Sequence, residues 1–431
     1  MQLANKKTVF IIIGILLLLF LIRIPLSSSL TEKSDFRYWQ TWSDVLVQKN
    51  GFANIYEKTW CDRSPSMLYL LWGLGKAHQI FPHLSSEIIF KLPANLCDFL
   101  ITLFIFFLAK KRLGTNKAFL LSILYFLNPI TFINSTFWGQ MEATFTLMII
   151  LGVYFLVKEK YNLSLFILTL SFLFKPYSIV LVPIVFFWIF KEYYKNKNIK
   201  FLIEKSFCGI STIIGSVYFL HLPFVWKNIL YANSFVENIS APLVLFWQRI
   251  KFAMDAYPYI SVNAFNFWGI FGFTIKDNSM FIGLSYKSWG LVLFGICFLL
   301  ILSLIWLSSL KNKVFVAFLT STMLMLSTAI FLTRVHERHL CPIFALTVIS
   351  MVYLSKLWRF YYWLSSIHII NLFLSFSLLS LGINLFFPSL RVAFSLIATV
   401  LTFYLFWISL DRFSVFKHLK NTLVNYYRKF S

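Results

Sequence analysis

The chain has 431 residues, of which 59% are hydrophobic, 20% aromatic and only 13% charged. Its mean hydropathy of +0.76 lies well outside the range of soluble globular domains and excludes a water-soluble enzyme. The net charge of +23 would suit nucleic acid, but no soluble segment exists to carry a binding face. Lys and Arg cluster instead between apolar runs, where they orient membrane helices, and no nucleic-acid partner is expected.

In lipid every backbone N–H and C=O must find an internal partner, so apolar runs of about 20 residues must be helices. The predicted fold is all-α, a polytopic transmembrane helical bundle with residues 1–431 as a single integral membrane domain. The first span, 8–26, follows Lys6 and Lys7 as a signal peptide would, but its long core and the lack of a cleavage site predict a retained helix. Further spans are predicted at 87–108, 117–134, 141–157, 162–174, 177–190, 206–222, 288–308, 314–332, 340–355, 362–386 and 392–410, about twelve in all.

Basic clusters at Lys110 to Lys117, Lys158 and Lys160, Lys191 to Lys205, Lys311 and Lys313, Lys356 and Arg359, and Arg412 to Lys429 fall at every second boundary. They predict a cytoplasmic side carrying both termini. Two long extracytoplasmic loops, 27–86 and 223–287, then face the other way together with "WGQME" (138–142), "FKPY" (174–177) and "TRVHERH" (333–339). Five polar segments on one face predict a single extracytoplasmic site.

The first loop opens "SDFRYWQTW" (34–42), whose Tyr38, Trp39 and Trp42 would share one face of a short amphipathic interfacial helix. Asp35 beside this wall suits a general base, or caps the helix. Asp62 precedes Pro65 and a short apolar helix expected to lie along the membrane surface, and it reads as a second acid or as that helix's cap. Trp138, Gly139 and Gln140 form an outer turn, and Glu142 starts the next helix, where a carboxylate favours the helix dipole in any case. Lys175, at the break made by Pro176, requires an anionic partner, either a carboxylate or a bound phosphate. In "NAFNFWG" (263–269), Asn266 among aromatics suits sugar hydroxyls and ring faces, or a re-entrant turn.

The segment "TRVHERH" touches the zinc pattern H-E-x-x-H, but His336 and His339 are three apart and no third ligand is in register. Arg334 and Arg338 are four apart and, on a helix, would form a fork for phosphate with His336 between them, while Glu337 holds one arginine or neutralises it. Cys61 and Cys341 are the loop cysteines and a disulfide between them is open; Cys97, Cys208 and Cys297 fall in spans.

A base, a cationic phosphate site and a surface open to lipid suggest a lipid-phosphate substrate. No P-loop or dinucleotide fingerprint occurs, which agrees with a transferase that needs no nucleotide. In order along the chain, "SDFRYWQTW", "WGQME", "FKPY", "NAFNFWG" and "TRVHERH" resemble bacterial relatives of the PIG-V type GPI mannosyltransferases, within the GT-C superfamily of glycosyltransferases. The resemblance implies an inverting enzyme of the cell membrane. It would move a sugar, typically mannose, from a polyprenyl-phosphate donor to a glycan or glycolipid acceptor of the cell envelope, without a cofactor save possible help from a divalent metal. It implies Asp35 as base and Arg334, His336 and Arg338 around the donor phosphate; read from the residues themselves, Lys175 joins that phosphate site, and Trp138, Gln140, Glu142, Asp62, Asn266 and Glu337 are candidate substrate contacts or a second acid. The chain departs from the family pattern in having Glu142 where an Asp is usual, and Asp62, Arg63, Ser64, Pro65 in place of D-Y-P-P. The competing reading is a polytopic transporter or lipid-linked-sugar flippase, which would carry charges at mid-span and paired broken helices; the charges are expected at outer helix ends instead.

Overall fold

The computed structural model describes residues 2–230, 234–308 and 312–413, so Lys311 and the basic tail beyond Phe413 lie outside the described residues. The described residues are helical almost throughout, with one two-residue antiparallel ribbon among them, β1 (Met280–Phe281) and β2 (Leu284–Ser285). Among the described residues eight helices are long and apolar enough to cross a membrane. These include α1 (Gln2–Leu26), α5 (Ser86–Leu113), α11 (Ile199–Leu230), α13 (Tyr286–Leu307), α14 (Lys313–Phe331), α16 (Leu357–Leu381) and α17 (Pro388–Arg412). The eighth joins the short 3-10 turn Pro176–Leu181 to α10 (Val182–Asn196).

The helix α6 (Thr115–Phe126) and the segment Pro129–Trp138 form a ninth span only if their 43° bend is counted within it. Pro129 makes that bend, because it lacks an N–H and clashes with the preceding turn. Three expected spans are too short: α8 (Glu142–Val157), α9 (Tyr161–Phe174) and α15 (Cys341–Met351) have 16, 14 and 11 residues. At 1.5 Å per residue even the longest covers about 24 Å, less than the ~30 Å of a bilayer core. By length the expected twelve spans therefore become eight or nine.

At the centre is α14, every residue from Phe315 to Phe331 being buried. Its Thr320, Thr322, Ser327 and Thr328 hydroxyls return to carbonyls four residues back, which lets neighbouring helices approach closely with no polar group left open. The outer helices expose Phe10, Phe207, Leu299 and Val400, as a lipid-facing surface requires.

The expectation that charges fall at helix ends holds for Arg23, in the last turn of α1, but not for Asp98 in the middle of α5; both are buried, with Nη1–Oδ2 at 3.1 Å. Tyr125 donates to Asp98 at 2.7 Å, and the Arg23 guanidinium donates to Thr131 at 2.7 Å and stacks on Phe126 and Phe132. The group closes on itself and fastens α1 to α5, which makes it a structural pair.

The first loop folds into α2 (Lys33–Leu46), α3 (Gly51–Lys58) and α4 (Pro65–Ile80). Glu32 caps α2 by accepting from the N–H groups of Ser34 and Asp35 at 2.9 and 2.8 Å, so Asp35 is not the cap and its carboxylate is free to face inward. The expected shared aromatic face forms: Tyr38, Trp39 and Trp42 border one cavity, Tyr38 packs on Trp42 with ring centroids 5.8 Å apart, and the two tryptophans are buried while Tyr38 is exposed. In the second loop the sequence pattern did not reveal α12 (Phe235–Asp255), capped by Ser234 and exposing Phe235, Val236 and Trp247 on one side. All five cysteines are free, Cys61 and Cys341 included.

Candidate active site

A cavity of about 320 Å³ opens between the first loop, the α9 break, the end of α12 and residues 328–339. Its lining includes Asp35, Asp62, Lys175, Arg334, His336 and Arg338, six residues that the sequence singled out from segments far apart in the chain. Tyr38, Trp42, Trp60, Met254 and Tyr257 supply an apolar and aromatic wall.

Asp35 sits in the first turn of α2. Its Oδ2 accepts from the indole N–H of Trp138 at 3.2 Å and from the amide of Gln140, with Arg338 Nη1 at 3.8 Å. Among the described residues no donor meets its Oδ1, and Asp35 borders the cavity. The turn that aims Trp138 and Gln140 depends on Gly139, whose φ of +81° is a left-handed conformation and whose added Cβ would meet the Lys91 side chain at 2.9 Å. Lys91 was passed over in the sequence. From within α5 its ammonium donates to the carbonyls of Ser27, Leu30 and Phe137 and to the Thr31 hydroxyl, at 2.6 to 2.9 Å, and so fastens the approach to Asp35 against the Trp138 turn. A lone lysine in an apolar span was the signal that could have found it.

Behind Asp35 lies a buried charge cluster. Glu142 pairs with Lys175 and stands 3.6 Å from Arg338 Nε, while Glu337 accepts from Arg338 Nη1 at 2.8 Å. Lys175 therefore meets the anion that its sequence position required, and that anion is a protein carboxylate. Burial alone would lower the Arg338 pKa, but Glu337, Asp35 and Glu142 raise it above its ordinary value and the guanidinium is firmly charged.

The helical fork does not form. Arg334 adopts φ +64° and only Glu337–Leu340 make a short 3-10 turn, so Arg334 and Arg338 share no helical face. Arg334 grips Asp277 in a bidentate pair at 2.6 and 3.1 Å, also meets Asp255 at 3.2 Å, and donates its backbone N–H to the Tyr259 carbonyl. It staples the late basic segment to the second loop. The "NAFNFWG" segment does the same from beneath: Asn266 accepts from Gly269 N–H at 2.9 Å, and Trp268 donates to the Phe331 carbonyl at 2.6 Å. Asn266 is buried outside the cavity lining, in a turn rather than against a ligand.

His339 stacks on Tyr177 at 4.2 Å and His336 meets Tyr257 edge-on at 4.7 Å. Among the described residues no three His, Cys, Asp or Glu side chains are arranged to hold a metal ion. Burial pushes the His336 pKa well below 6.5, with Arg338 adding to the shift, and burial with His336 beside it does the same for His339. Depressed folded-state values mean that the unfolded chain binds more protons below about pH 6.5. Stability present above that pH is therefore lost as the pH falls, by up to about 1.4 kcal/mol per pH unit for each histidine. Unfolding in detergent between pH 7 and 5, for the wild type beside His336→Gln/His339→Gln, should show a flatter pH slope in the double variant.

The family described as dolichyl-phosphate-mannose-protein mannosyltransferase matches residues 62–218, a stretch that holds Asp62, the Trp138 turn and Lys175. GPI mannosyltransferase 1 of Debaryomyces hansenii is 31% identical over 137 residues, covering 29% of this chain and 33% of that protein. Its counterpart in Candida albicans is 28% identical over 144 residues, covering 30% and 34%. The chain thus spans about a third of the length of these relatives. Among solved structures, the oligosaccharyltransferase of Archaeoglobus fulgidus tethered with an acceptor peptide aligns with a TM-score of 0.40 at 13% identity, covering 94% of this chain and 55% of that one. Within a helical membrane fold, the chain is thus similar to mannosyltransferases over residues 62–218 and over stretches of 137 and 144 residues.

Proposed function

We propose that the protein is a mannosyltransferase that takes its sugar from a polyprenyl-phosphate donor and passes it, with inversion, to a hydroxyl of a glycan or glycolipid acceptor. The observation that carries this reading is Asp35: one carboxylate oxygen is held by Trp138 and Gln140, and the other is open to a cavity walled by aromatics and cations. The open carboxylate oxygen takes the proton of the acceptor hydroxyl as the acceptor oxygen bonds to the anomeric carbon. The bond from the anomeric carbon to the phosphate oxygen breaks on the opposite face, and polyprenyl phosphate leaves with both electrons. Lys175, Arg338 and His336 line the cavity and favour the charge that develops on the leaving group, while Arg334 holds their segment in place.

An extracytoplasmic site is supported by where the basic residues fall. Gln40, one turn beyond Asp35, donates to Ser86 at the start of α5, whereas Lys110, Lys111 and Arg112 end that 28-residue helix about 40 Å away. Lys313 begins α14, whose other end borders the cavity, and it pairs with Glu159. The basic end is the cytoplasmic one on this reading.

The test is transfer by purified protein in detergent, offered radiolabelled polyprenyl-phosphate mannose with a panel of glycan and glycolipid acceptors. Labelled product is the expected result. Binding of the lipid-linked sugar without transfer to any acceptor, together with its movement across proteoliposome membranes, would favour the flippase instead.

A further inference from the structure

Four cations line the cavity, Arg63, Lys175, Arg334 and Arg338, and an incoming phosphate needs one whose donors are not already taken. Lys175 and Arg338 each give one hydrogen bond to a buried carboxylate, Glu142 and Glu337, and Arg334 is gripped by Asp277 and Asp255. Arg63 differs. It forms an ion pair with Asp62 at 3.1 Å from Nε, but neither Nε nor the Asp62 Oδ1 makes a hydrogen bond, and among the described residues the other guanidinium N–H groups meet no acceptor.

Arg63 stands immediately before α4, a 16-residue helix with its first turn open. Pro65 at the first helical position has no N–H, Ser64 at the cap position makes no side-chain cap, and no acceptor meets the N–H groups of Ser66 and Met67. Ser64 is only 4% exposed and borders the cavity, its hydroxyl making no cap bond and meeting no partner among the described residues, and the Ser66 hydroxyl is buried and unpaired. The segment is held in shape before any ligand arrives: the Tyr56 hydroxyl donates to the Arg63 carbonyl at 2.9 Å and the Trp42 indole to the Trp60 carbonyl at 2.7 Å. Open N–H groups at a helix start carry partial positive charge and bind phosphate oxygens, and a guanidinium adds a planar, permanently charged fork.

We propose that Arg63, Ser64 and the N-terminus of α4 form the subsite for the phosphate of the lipid-linked ligand, in place of the Arg334 and Arg338 fork expected from the sequence. The assignment rests on the lipid-phosphate reading of this cavity and names where in it the anion binds. The guanidinium turns from Asp62 to the phosphate, the Ser64 hydroxyl and the first-turn N–H groups complete the set, and Lys175 and Arg338 contribute field rather than contact.

The experiment measures equilibrium binding to the full-length protein in detergent. The ligands are a short-chain polyprenyl monophosphate, the matching polyprenol and inorganic phosphate. The proteins are wild type, Arg63→Gln, Arg63→Lys and Ser64→Ala, each checked for an unchanged melting profile. The lipid phosphate is expected to bind wild type more tightly than the polyprenol does. Arg63→Gln should weaken it about 10- to 100-fold, and Arg63→Lys and Ser64→Ala by less, with polyprenol affinity unmoved. Wild-type affinity for the lipid phosphate in folded Arg63→Gln and Ser64→Ala would overturn the subsite and leave the mannosyltransferase reading intact. No preference of the wild type for the lipid phosphate over polyprenol would overturn both. Inorganic phosphate binding as tightly as the lipid, and lost in Arg63→Gln, would support the anion subsite while removing the lipid as its source.

Discussion

Asp35→Asn is expected to lower the rate of sugar transfer by about two to four orders of magnitude while donor binding is retained. The amide keeps the shape of the carboxylate and its place in the first turn of α2, where Glu32, not Asp35, caps the helix. What it loses is the basic oxygen that faces the cavity. The substitution also sets an NH₂ group against the donors of Trp138 and Gln140 unless the amide places its oxygen there, which points the NH₂ at the acceptor and blocks proton removal. The measurement is single-turnover transfer beside equilibrium donor binding. Undiminished transfer would move the base to another acid, and Asp62, which lines the same cavity, is the next to replace.

Arg338→Met has the largest expected effect on stability. The guanidinium stands 2.8 Å from Glu337, 3.6 Å from Glu142 and 3.8 Å from Asp35, and both glutamates are buried. Removing it leaves Glu337 in a low-dielectric interior with no counter-ion, a loss of about 3–5 kcal/mol for a broken buried pair. Glu142 retains Lys175, so the penalty concentrates on Glu337. The double variant Arg338→Met/Glu337→Gln should recover about half of the loss, because a neutral amide needs no counter-ion. Chemical denaturation of the four proteins of this cycle gives the coupling directly. A single variant as stable as wild type would mean that water reaches the cluster and screens it.

The sequence reached the site's composition further than its geometry. Asp35, Asp62, Lys175, His336 and Arg338 stood out because each is polar beside long apolar runs, where a charge has no inexpensive place, and all five line one cavity. Lys175 could be assigned an anionic partner before its identity was visible, since the cost of an unpaired cation among helices does not depend on which carboxylate relieves it. The Arg334 and Arg338 fork failed for a local reason: the spacing argument holds only on a continuous helix, and after α14 the chain turns through a left-handed Arg334 instead.

By itself, the sequence determined the membrane-helical class, the break at Pro176, and which segments carry charge. These follow from hydrophobicity and backbone stereochemistry, which act within a few residues of each position. Only the tertiary structure decided which charges are consumed. Arg334 and Asp277 are 57 residues apart and Glu142 and Lys175 are 33 apart, and no local pattern pairs them. The same packing set Arg63 beside Asp62 at 3.1 Å with no hydrogen bond between Nε and Oδ1, and left Ser64 at the start of α4 without a side-chain cap bond.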